Sequence, residues 1–233
     1  MPNSFKSNVA ALSAGLLAFA VASAAQAEMA TIEVGEFYVG LGAGGVMPGD
    51  TTISSGTQDG VTFNGNAEIE YDLGFAVTGA AGYHINDYLA VEAEVGYAQF
   101  DHDSFSGSGT ITSGGTTVSG SASSTLDGTV KTFSGLANLI VSPFGDMALR
   151  PYLGAGVGMV AYNEEIDKVG TLSLSYDESD EAFMAAGLVG LDYRFSDQLS
   201  MGGQYRYVWA DTGSGLVDDM TAHSLFLKLD YAF

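Results

Sequence analysis

The chain has 233 residues, with 7 Lys and Arg against 28 Asp and Glu, so its formal net charge is −21. It contains no cysteine, which excludes a disulfide framework, a zinc ribbon, a thiol nucleophile and a lipid anchor attached to Cys. The negative charge argues against nucleic acid as a partner, and a hydrophobic content of 46% argues against a disordered chain.

The N-terminus has the three parts of a secretory signal peptide. Lys6 precedes an apolar run at 9–22, and Ala25, Gln26 and Ala27 form a small-residue cleavage site. The alternative, an N-terminal membrane anchor, is disfavoured because the apolar run is short for a spanning helix. We therefore predict a cleavable signal peptide at 1–27 and a mature domain at 28–233, which has no second stretch long enough for a spanning helix.

Beyond residue 28, apolar residues recur at every second position, the period of a β-strand. Between Ile69 and Tyr83 the odd positions are mostly large and apolar, and the even ones are charged or small. Strands of this length suit a tilted crossing of a bilayer. The same pattern predicts eight strands, at 36–47, 69–84, 88–101, 130–142, 149–162, 182–195, 199–210 and 221–233.

The connections between these strands alternate between short and long. The short ones are at 85–87, around 143–146 and at 196–198; the long ones are at 48–68, 102–129, 163–181 and 211–220. In an up-and-down barrel this places every short turn and both termini at one end, as in outer-membrane barrels. A secreted β-sandwich or a soluble eight-stranded barrel is the competing fold, because alternation alone does not say which face points inward.

The last strand, 221–233, carries Leu225, Leu227, Leu229, Tyr231 and Phe233 on one face. With the segments 151–158 (PYLGAGVG) and 191–195 (LDYRF), it resembles the small OmpA-like outer-membrane β-barrel family. The resemblance implies an all-β, eight-stranded antiparallel up-and-down transmembrane barrel with short periplasmic turns and four long extracellular loops. It also implies that Leu229, Tyr231 and Phe233 belong to the signal read by the barrel-assembly machinery, and that periplasmic chaperones escort the chain.

Charged residues on the inward positions are expected to neutralise one another across a narrow lumen, since eight strands leave an interior that side chains just fill. This network is either structural or a gate that passes small ions. Its members are Glu36, Glu70, Asp72, Glu92, Glu94, Arg150, Asp192, Arg194, Arg206, Lys228 and Asp230.

Aromatic residues on the outward positions predict two girdles at the membrane surfaces. The periplasmic girdle comprises Phe37, Tyr83, Tyr193, Phe195, Tyr231 and Phe233. The outer girdle comprises Tyr71, Tyr97, Tyr207 and Trp209.

The long connections are acidic or of low complexity. Residues 164–181 are densest in carboxylates, which could bind divalent cations or a basic ligand, although a solvated surface explains them as well. Residues 104–128 are mostly Ser, Gly and Thr, too polar to bury a core of their own. Weak alternation at 110–112 and 116–119 suggests that the flanking strands continue as a hairpin beyond the membrane.

We expect no enzyme, metal site or cofactor. His223 and Ser224 are adjacent in a strand and therefore point to opposite faces, and His84 and His102 belong to opposite ends of the barrel. No glycine-rich phosphate loop opens a helix.

The resemblance implies an integral protein of the bacterial outer membrane, in contact with its lipid and lipopolysaccharide. Its role would be structural or at the surface, in envelope integrity, adhesion or antigenicity, with a possible host ligand at the loops. A small porin-like channel is the alternative, and an outer-membrane lipid hydrolase is a third class. The peptidoglycan-binding domain of longer relatives is not expected.

Overall fold

The computed structural model describes residues 35–53, 55–58, 61–143, 148–169, 172–211 and 219–233. The predicted signal peptide at 1–27 lies outside these residues. The secondary structure of the described residues is entirely β. Its strands are β1 Phe37–Pro48, β2 Thr51–Ile53, β3 Gly56–Gln58, β4 Val61–Tyr71, β5 Gly74–Asn86, β6 Leu89–Ser113, β7 Thr116–Val141, β8 Leu149–Val169, β9 Leu172–Arg194, β10 Leu199–Asp211 and β11 Met220–Ala232.

Eight of these strands close into a ring. In order around the barrel they are β1, β5, β6, β7, β8, β9, β10 and β11, each antiparallel to its neighbours, and β11 pairs back onto β1 with Leu41 opposite Leu229. The predicted eight-stranded up-and-down barrel is therefore confirmed. Strands β2, β3 and β4 lie in the first long connection, where β4 extends the sheet along the outer part of β6.

The connections fall at the two ends as predicted. Strand β5 joins β6 through residues 87–88, β7 joins β8 through 142–148, and β9 joins β10 through 195–198, all at the end where Phe233 N–H donates to the carbonyl of Phe37. The other four connections are at the opposite end. Because every barrel strand is paired on both sides, the ring has no free edge to expose in the membrane.

The second long connection is a continuous hairpin rather than a loop. Strands β6 and β7 pair in register from Ser104 opposite Thr125 to Ser113 opposite Thr116. Gly114 and Gly115 have φ angles of 57° and 80°, the two successive positive values of a type I′ turn, which only glycine adopts without strain. The predicted hairpin is confirmed, and its order comes from the ladder that it shares with the barrel.

The prediction of one strand over 69–84 is wrong at a single point. Strand β4 ends at Tyr71 and β5 begins at Gly74, and the pairing with β6 is irregular between Glu70 and Tyr71. Across residues 72–73 the outward face changes from even to odd positions, since Glu70 is exposed before the break and Phe75 after it. Tyr71 consequently packs edge-on against the interior ring of Phe100, with centroids 5.6 Å apart, so its placement in the lipid-facing girdle is corrected.

The two faces of the barrel have the polarity of a membrane protein. Outward Leu41 and Leu227 are 69% and 71% exposed, whereas inward Glu94 and Gln204 are each 1% exposed. A protein in water would leave this contiguous apolar band unfavourably solvated. Surrounding lipid removes that cost, which resolves the question that alternation left open.

Most of the remaining predicted girdle residues contact ring neighbours at the expected ends, whereas Trp209 Nε1 donates to Asp219 Oδ2 at 3.1 Å. At the short-turn end, Phe37 packs on Tyr83 with centroids 4.7 Å apart. Similar contacts join Tyr193 to Phe195 and Tyr231 to Phe233. At the outer end, Tyr97 packs between Phe75 and Phe133, two members that the sequence analysis did not include. Across the described ranges, no helix is long and apolar enough to cross a membrane.

The lipid-facing assignment predicts a position-dependent cost of charge. Replacing Leu227 with Arg places a charge near the middle of the apolar band and should reduce the free energy of unfolding by about 2–4 kcal/mol. Ile111→Arg, on the hairpin beyond the barrel, should change it by less than about 0.5 kcal/mol. Urea unfolding in lipid vesicles measures both, and equal losses would contradict the membrane orientation.

Candidate functional site

A bidentate ion pair crosses the middle of the lumen. The Nη1 and Nη2 atoms of Arg206 on β10 each lie 2.6 Å from a carboxylate oxygen of Glu94 on β6. These strands are four places apart in the ring of eight, so the pair spans its diameter. Arg206 Nη2 also donates to Gln204 Oε1 at 3.1 Å, and the guanidinium lies 5.0 Å from the centre of the Phe226 ring. Both charges are therefore removed from solvent and matched.

A second polar cluster lies on the short-turn side of this pair. Glu92 Oε2 is 3.4 Å from Lys228 Nζ and accepts from the Tyr38 hydroxyl at 3.0 Å, while Glu92 Oε1 accepts from Asn138 Nδ2 at 3.0 Å. Lys228 Nζ is also 4.0 Å from Asp230 Oδ1. One buried carboxylate is thus held by three donors from three different strands.

Two further polar contacts lie toward the short-turn end of the lumen. Gln204 Nε2 donates to the Tyr152 hydroxyl at 3.1 Å, so the Gln204 amide contacts both Arg206 and Tyr152. Arg150 Nη2 lies 4.0 Å from Asp192 Oδ2 on the neighbouring strand. The lumen therefore contains three polar groups, around Arg206, Glu92 and Arg150, which together form the lumen network.

Glycines make room for this network. A Cβ on Gly82 would lie 2.1 Å from the Tyr38 ring, and one on Gly190 would lie 2.3 Å from the Tyr152 ring. In each case the glycine is directly opposite the tyrosine on the adjacent strand. The same relation holds for Asn138 with Gly156, Asp192 with Gly202 and Asp230 with Gly40.

The structure brings most of the predicted lumen residues together. Glu92, Glu94, Asp192, Arg206 and Lys228 are buried, and Arg150, Arg194 and Asp230 are half-buried. Glu36 is exposed at the short-turn end, where it lines the lower opening.

Two predicted lumen residues lie outside the lumen. Glu70 and Asp72 are both exposed beyond the barrel, where Glu70 accepts a hydrogen bond from Ser104 and the backbone N–H of Asp72 donates to the carbonyl of Asp101. The cause is the change of outward face across residues 72–73, between β4 and β5, where the prediction had one continuous strand.

Sequence reasoning missed the uncharged members of the network, namely Tyr38, Asn138, Tyr152 and Gln204. All four lie on inward positions of predicted strands, and a search of that register for every polar residue, not only for charges, would have found them.

Two cavities flank the ion pairs. The outer one has a volume of about 110 Å³ and apolar walls, with Arg206 among its lining residues. The inner one, at the short-turn end, has a volume of about 40 Å³ and is lined by groups that include Tyr38, Arg150, Asp192 and Lys228. Glu94 and Gln204 are each 1% exposed and line neither cavity, and with Arg206 they lie between the two levels.

A polar cluster lies at the outer end of the barrel, where side chains of β4, β6 and β8 meet. The buried His102 ring lies with Nε2 2.8 Å from Glu164 Oε1 and with its centroid 5.2 Å from that of Tyr71. Burial raises the pKa of the Tyr71 hydroxyl, which donates to Thr51 Oγ1 at 3.3 Å. This cluster joins the first and third long connections to the hairpin.

The geometry gives no support to the hydrolase alternative. Ser224 is buried in the lumen, whereas His223 bonds through Nδ1 to the exposed Tyr205 hydroxyl at 2.6 Å. In the part of the chain that the structure describes, no three His, Asp or Glu side chains converge on a point that could hold a metal ion.

The sequence profile described as "Outer membrane protein beta-barrel domain" matches residues 13–233. The chain belongs to this family. Membership places it in the bacterial outer membrane. This location agrees with the apolar outward face and the polar inward face of the barrel. No functionally curated protein sequence matches the chain.

Three solved structures illustrate its similarity to small outer-membrane barrels. Neisserial surface protein A is 20% identical over 84% of this chain and 97% of its own, with a TM-score of 0.49. The attachment invasion locus protein Ail of Yersinia pestis is 18% identical over 86% and 99%, with a TM-score of 0.45. OprG of Pseudomonas aeruginosa is 17% identical over 86% and 96%, with a TM-score of 0.44.

The buried pair predicts a strongly non-additive response to mutation. Glu94→Gln strands the Arg206 charge and should reduce the free energy of unfolding by about 3–5 kcal/mol, whereas adding Arg206→Met should recover most of that loss. The matched control is Glu165→Gln, whose partner Lys131 lies 3.1 Å away in an exposed pair, and it should cost less than about 1 kcal/mol. Urea unfolding in vesicles measures all three, and additive losses would contradict the pairing.

Proposed function

We propose that this outer-membrane protein is a surface-interaction protein, an adhesin or antigen. Its barrel is a sealed anchor, and the β6–β7 hairpin carries the contact surface. Beyond Asp101, β6 continues for 12 residues, which at about 3.3 Å per residue is a projection of about 40 Å along the strand. The observation that carries the proposal is a free sheet edge on this projection.

The free edge is the stretch of β7 at 116–125. These residues pair with β6 on one side, and the pairing of β7 with β8 begins only at Leu126 opposite Val169, so among the described strands their other side has no partner. Side chains along 116–123 are all exposed, and the stretch contains none of the Lys, Pro or bulge residues that protect natural edges.

The turn geometry identifies which backbone groups are free. A two-residue type I′ turn makes Ser113 and Thr116 a hydrogen-bonded pair, after which bonded and non-bonded pairs alternate. The backbone groups of Thr117, Ser119, Ser121 and Ser123 therefore point away from β6. An extended polypeptide can add to such an edge as a further strand through main-chain hydrogen bonds.

The charge of the surrounding surface favours a basic partner. Asp101, Asp103 and Asp127 are exposed at the base of the hairpin, and the chain as a whole is strongly acidic. Charge of one sign steers encounters with the opposite sign and repels acidic surfaces. We therefore infer that the partner segment is extended and carries Lys or Arg beside the strand that it adds.

The channel alternative rests on the two cavities that approach the ion pair from opposite ends. The bidentate pair and Gln204 fill the space between them, so the proposal treats the lumen as closed. The assembly signal at Leu229, Tyr231 and Phe233 stays a prediction, as do contacts with chaperones and lipopolysaccharide. The three side chains point outward from the barrel.

Blocking the free edge should abolish adhesion without disturbing the hairpin. The double variant Ser119→Pro with Ser121→Pro removes two outward N–H groups and no β6–β7 hydrogen bond, so adhesion should fall at least about tenfold. Ser119→Ala with Ser121→Ala removes the same hydroxyls, keeps both N–H groups and should adhere like the original chain.

The measurement is adhesion of bacteria displaying each variant to cultured epithelial cells and to purified matrix proteins. Heat-modifiable gel migration checks that each barrel is folded. Equal adhesion of the Pro and Ala variants, or adhesion no greater than that of bacteria lacking the protein, would contradict the proposed role of the edge.

A closed lumen predicts electrical silence. The refolded mature chain in a planar bilayer should show no stepwise openings, whereas Glu94→Ala with Arg206→Ala removes the pair that spans the diameter and should open a measurable ion path. Single-channel recording tests this, with Glu165→Ala as the control outside the lumen. Steady openings of the unmodified chain would instead favour the channel.

A further inference from the structure

Among the described residues the buried apolar side chains of the lumen form three clusters, and two of these line the outer cavity. The first, on β1, β5, β6, β7 and β11, is built from Val46, Ala76, Phe100, Val130 and Phe226. The second, on β7 to β10, is built from Leu136, Ala182, Met184, Ala186, Leu188 and Ala210. The outer cavity of about 110 Å³ lies between them and is lined by members of both. Eight-stranded barrels usually fill this space with side chains, so the gap needs an explanation.

The gap exists because small residues stand where the two clusters face each other. Inward positions at this level are occupied by Ala76, Ala98, Ala182, Ala210 and Ala222, all of which line the cavity. Valine or leucine at any of them would close part of it. An unfilled cavity of this size reduces the free energy of unfolding, because the atoms that line it lose their packing partners.

The floor of the cavity is polar and holds an unused donor. Arg206 is 4% exposed and lines the cavity, yet its Nε has no hydrogen-bond acceptor among the described residues. Ser224 lies opposite Arg206 on the next strand, and Thr78 and Ser134 also line the cavity. A buried N–H without an acceptor is costly, so an occupant that accepts this bond would be stabilised.

The charge at the floor is already balanced. The Glu94 carboxylate accepts hydrogen bonds from both terminal nitrogens of Arg206, so the ion pair is neutral overall. A carboxylate or phosphate ligand would therefore meet the buried Glu94 charge without a compensating cation, and burying it would be unfavourable. A neutral oxygen, such as a ketone or hydroxyl, can accept from Nε without that cost.

We propose that the outer half of the lumen is a binding site for a compact, neutral, apolar molecule that carries one hydrogen-bond acceptor oxygen. The enclosed volume of about 110 Å³ is smaller than the apolar cavity of about 150 Å³ that admits benzene in another protein, so the fully enclosed part of the ligand is smaller than a benzene ring. The cavity is partly open, so cyclohexanone can place its carbonyl oxygen at Nε while part of its ring lies outside the enclosed volume. The site is separate from the hairpin edge and does not depend on it.

The test uses the methionine methyl groups of the refolded mature chain in lipid nanodiscs, labelled with ¹³C. Met184 lines the cavity, whereas Met159 and Met201 face lipid. Cyclohexanone should shift the Met184 resonance until the shift saturates. The Met159 and Met201 resonances should show no saturable shift. Equal responses of all three methyl groups would mean partition into lipid only and would overturn the proposal.

Two variants separate the cavity from its donor. Ala98→Leu fills the cavity and should weaken cyclohexanone binding at least about tenfold, whereas Ala155→Leu adds the same atoms to the lipid face and should change nothing. Arg206→Lys keeps the charge opposite Glu94 but removes Nε, so the preference for cyclohexanone over cyclohexane should fall about fivefold. Folding is checked by heat-modifiable migration.

The outcomes are distinct. Saturable binding to the original chain that the filled variant loses supports the site. Absence of any saturable Met184 shift in the folded original chain overturns it, whatever the variants do. Equal affinity for cyclohexanone and cyclohexane would overturn the role of the Arg206 donor and leave only a nonspecific apolar void.

Discussion

The ion pair between Arg206 and Glu94 is the interaction on which the rest of the interior depends. It joins two strands on opposite sides of the ring, so it fixes the barrel across its widest internal distance. Each charge depends on the other at that depth, because leaving a buried charge unpaired costs several kcal/mol. Once the pair is in place, Gln204 is held by it, Tyr152 is held by Gln204, and the lumen is divided into an outer apolar half and an inner charged half.

A polar interior of this width also constrains the backbone sequence. Large polar side chains from one strand occupy the space above glycines of the next, as Tyr38 does above Gly82 and Tyr152 above Gly190. The abundance of glycine thus follows from the polarity of the lumen rather than from a need for flexibility. It also makes the cross-strand register specific. A slip of one residue would place those rings against side chains and would turn every inward residue toward lipid.

Period-two alternation was sufficient to predict the eight barrel strands, their connections and five of the buried lumen charges. It failed between β4 and β5, because Glu70, Tyr71 and Asp72 continue the pattern although the outward face changes across residues 72–73. A local pattern cannot reveal such a shift, which depends on how β4 meets β6. Composition had a different limitation in the hairpin. A segment of Ser, Gly and Thr has no core of its own, but the barrel supplies a ladder that its strands simply continue.

That continuity explains how a low-complexity segment can provide a defined surface. An isolated two-stranded hairpin is marginal in water, and this one has few apolar side chains to bury, although β4 adds a third strand along β6. Here β6 and β7 enter the hairpin already aligned by the barrel, so the entropy cost of bringing them together has been met by the membrane-embedded part. The outer residues therefore need not be selected for burial, and they can keep small polar side chains that leave the backbone of 116–125 accessible. Stability and recognition are consequently separated along the same two strands, the first depending on paired charges and lipid and the second on unpaired main-chain groups.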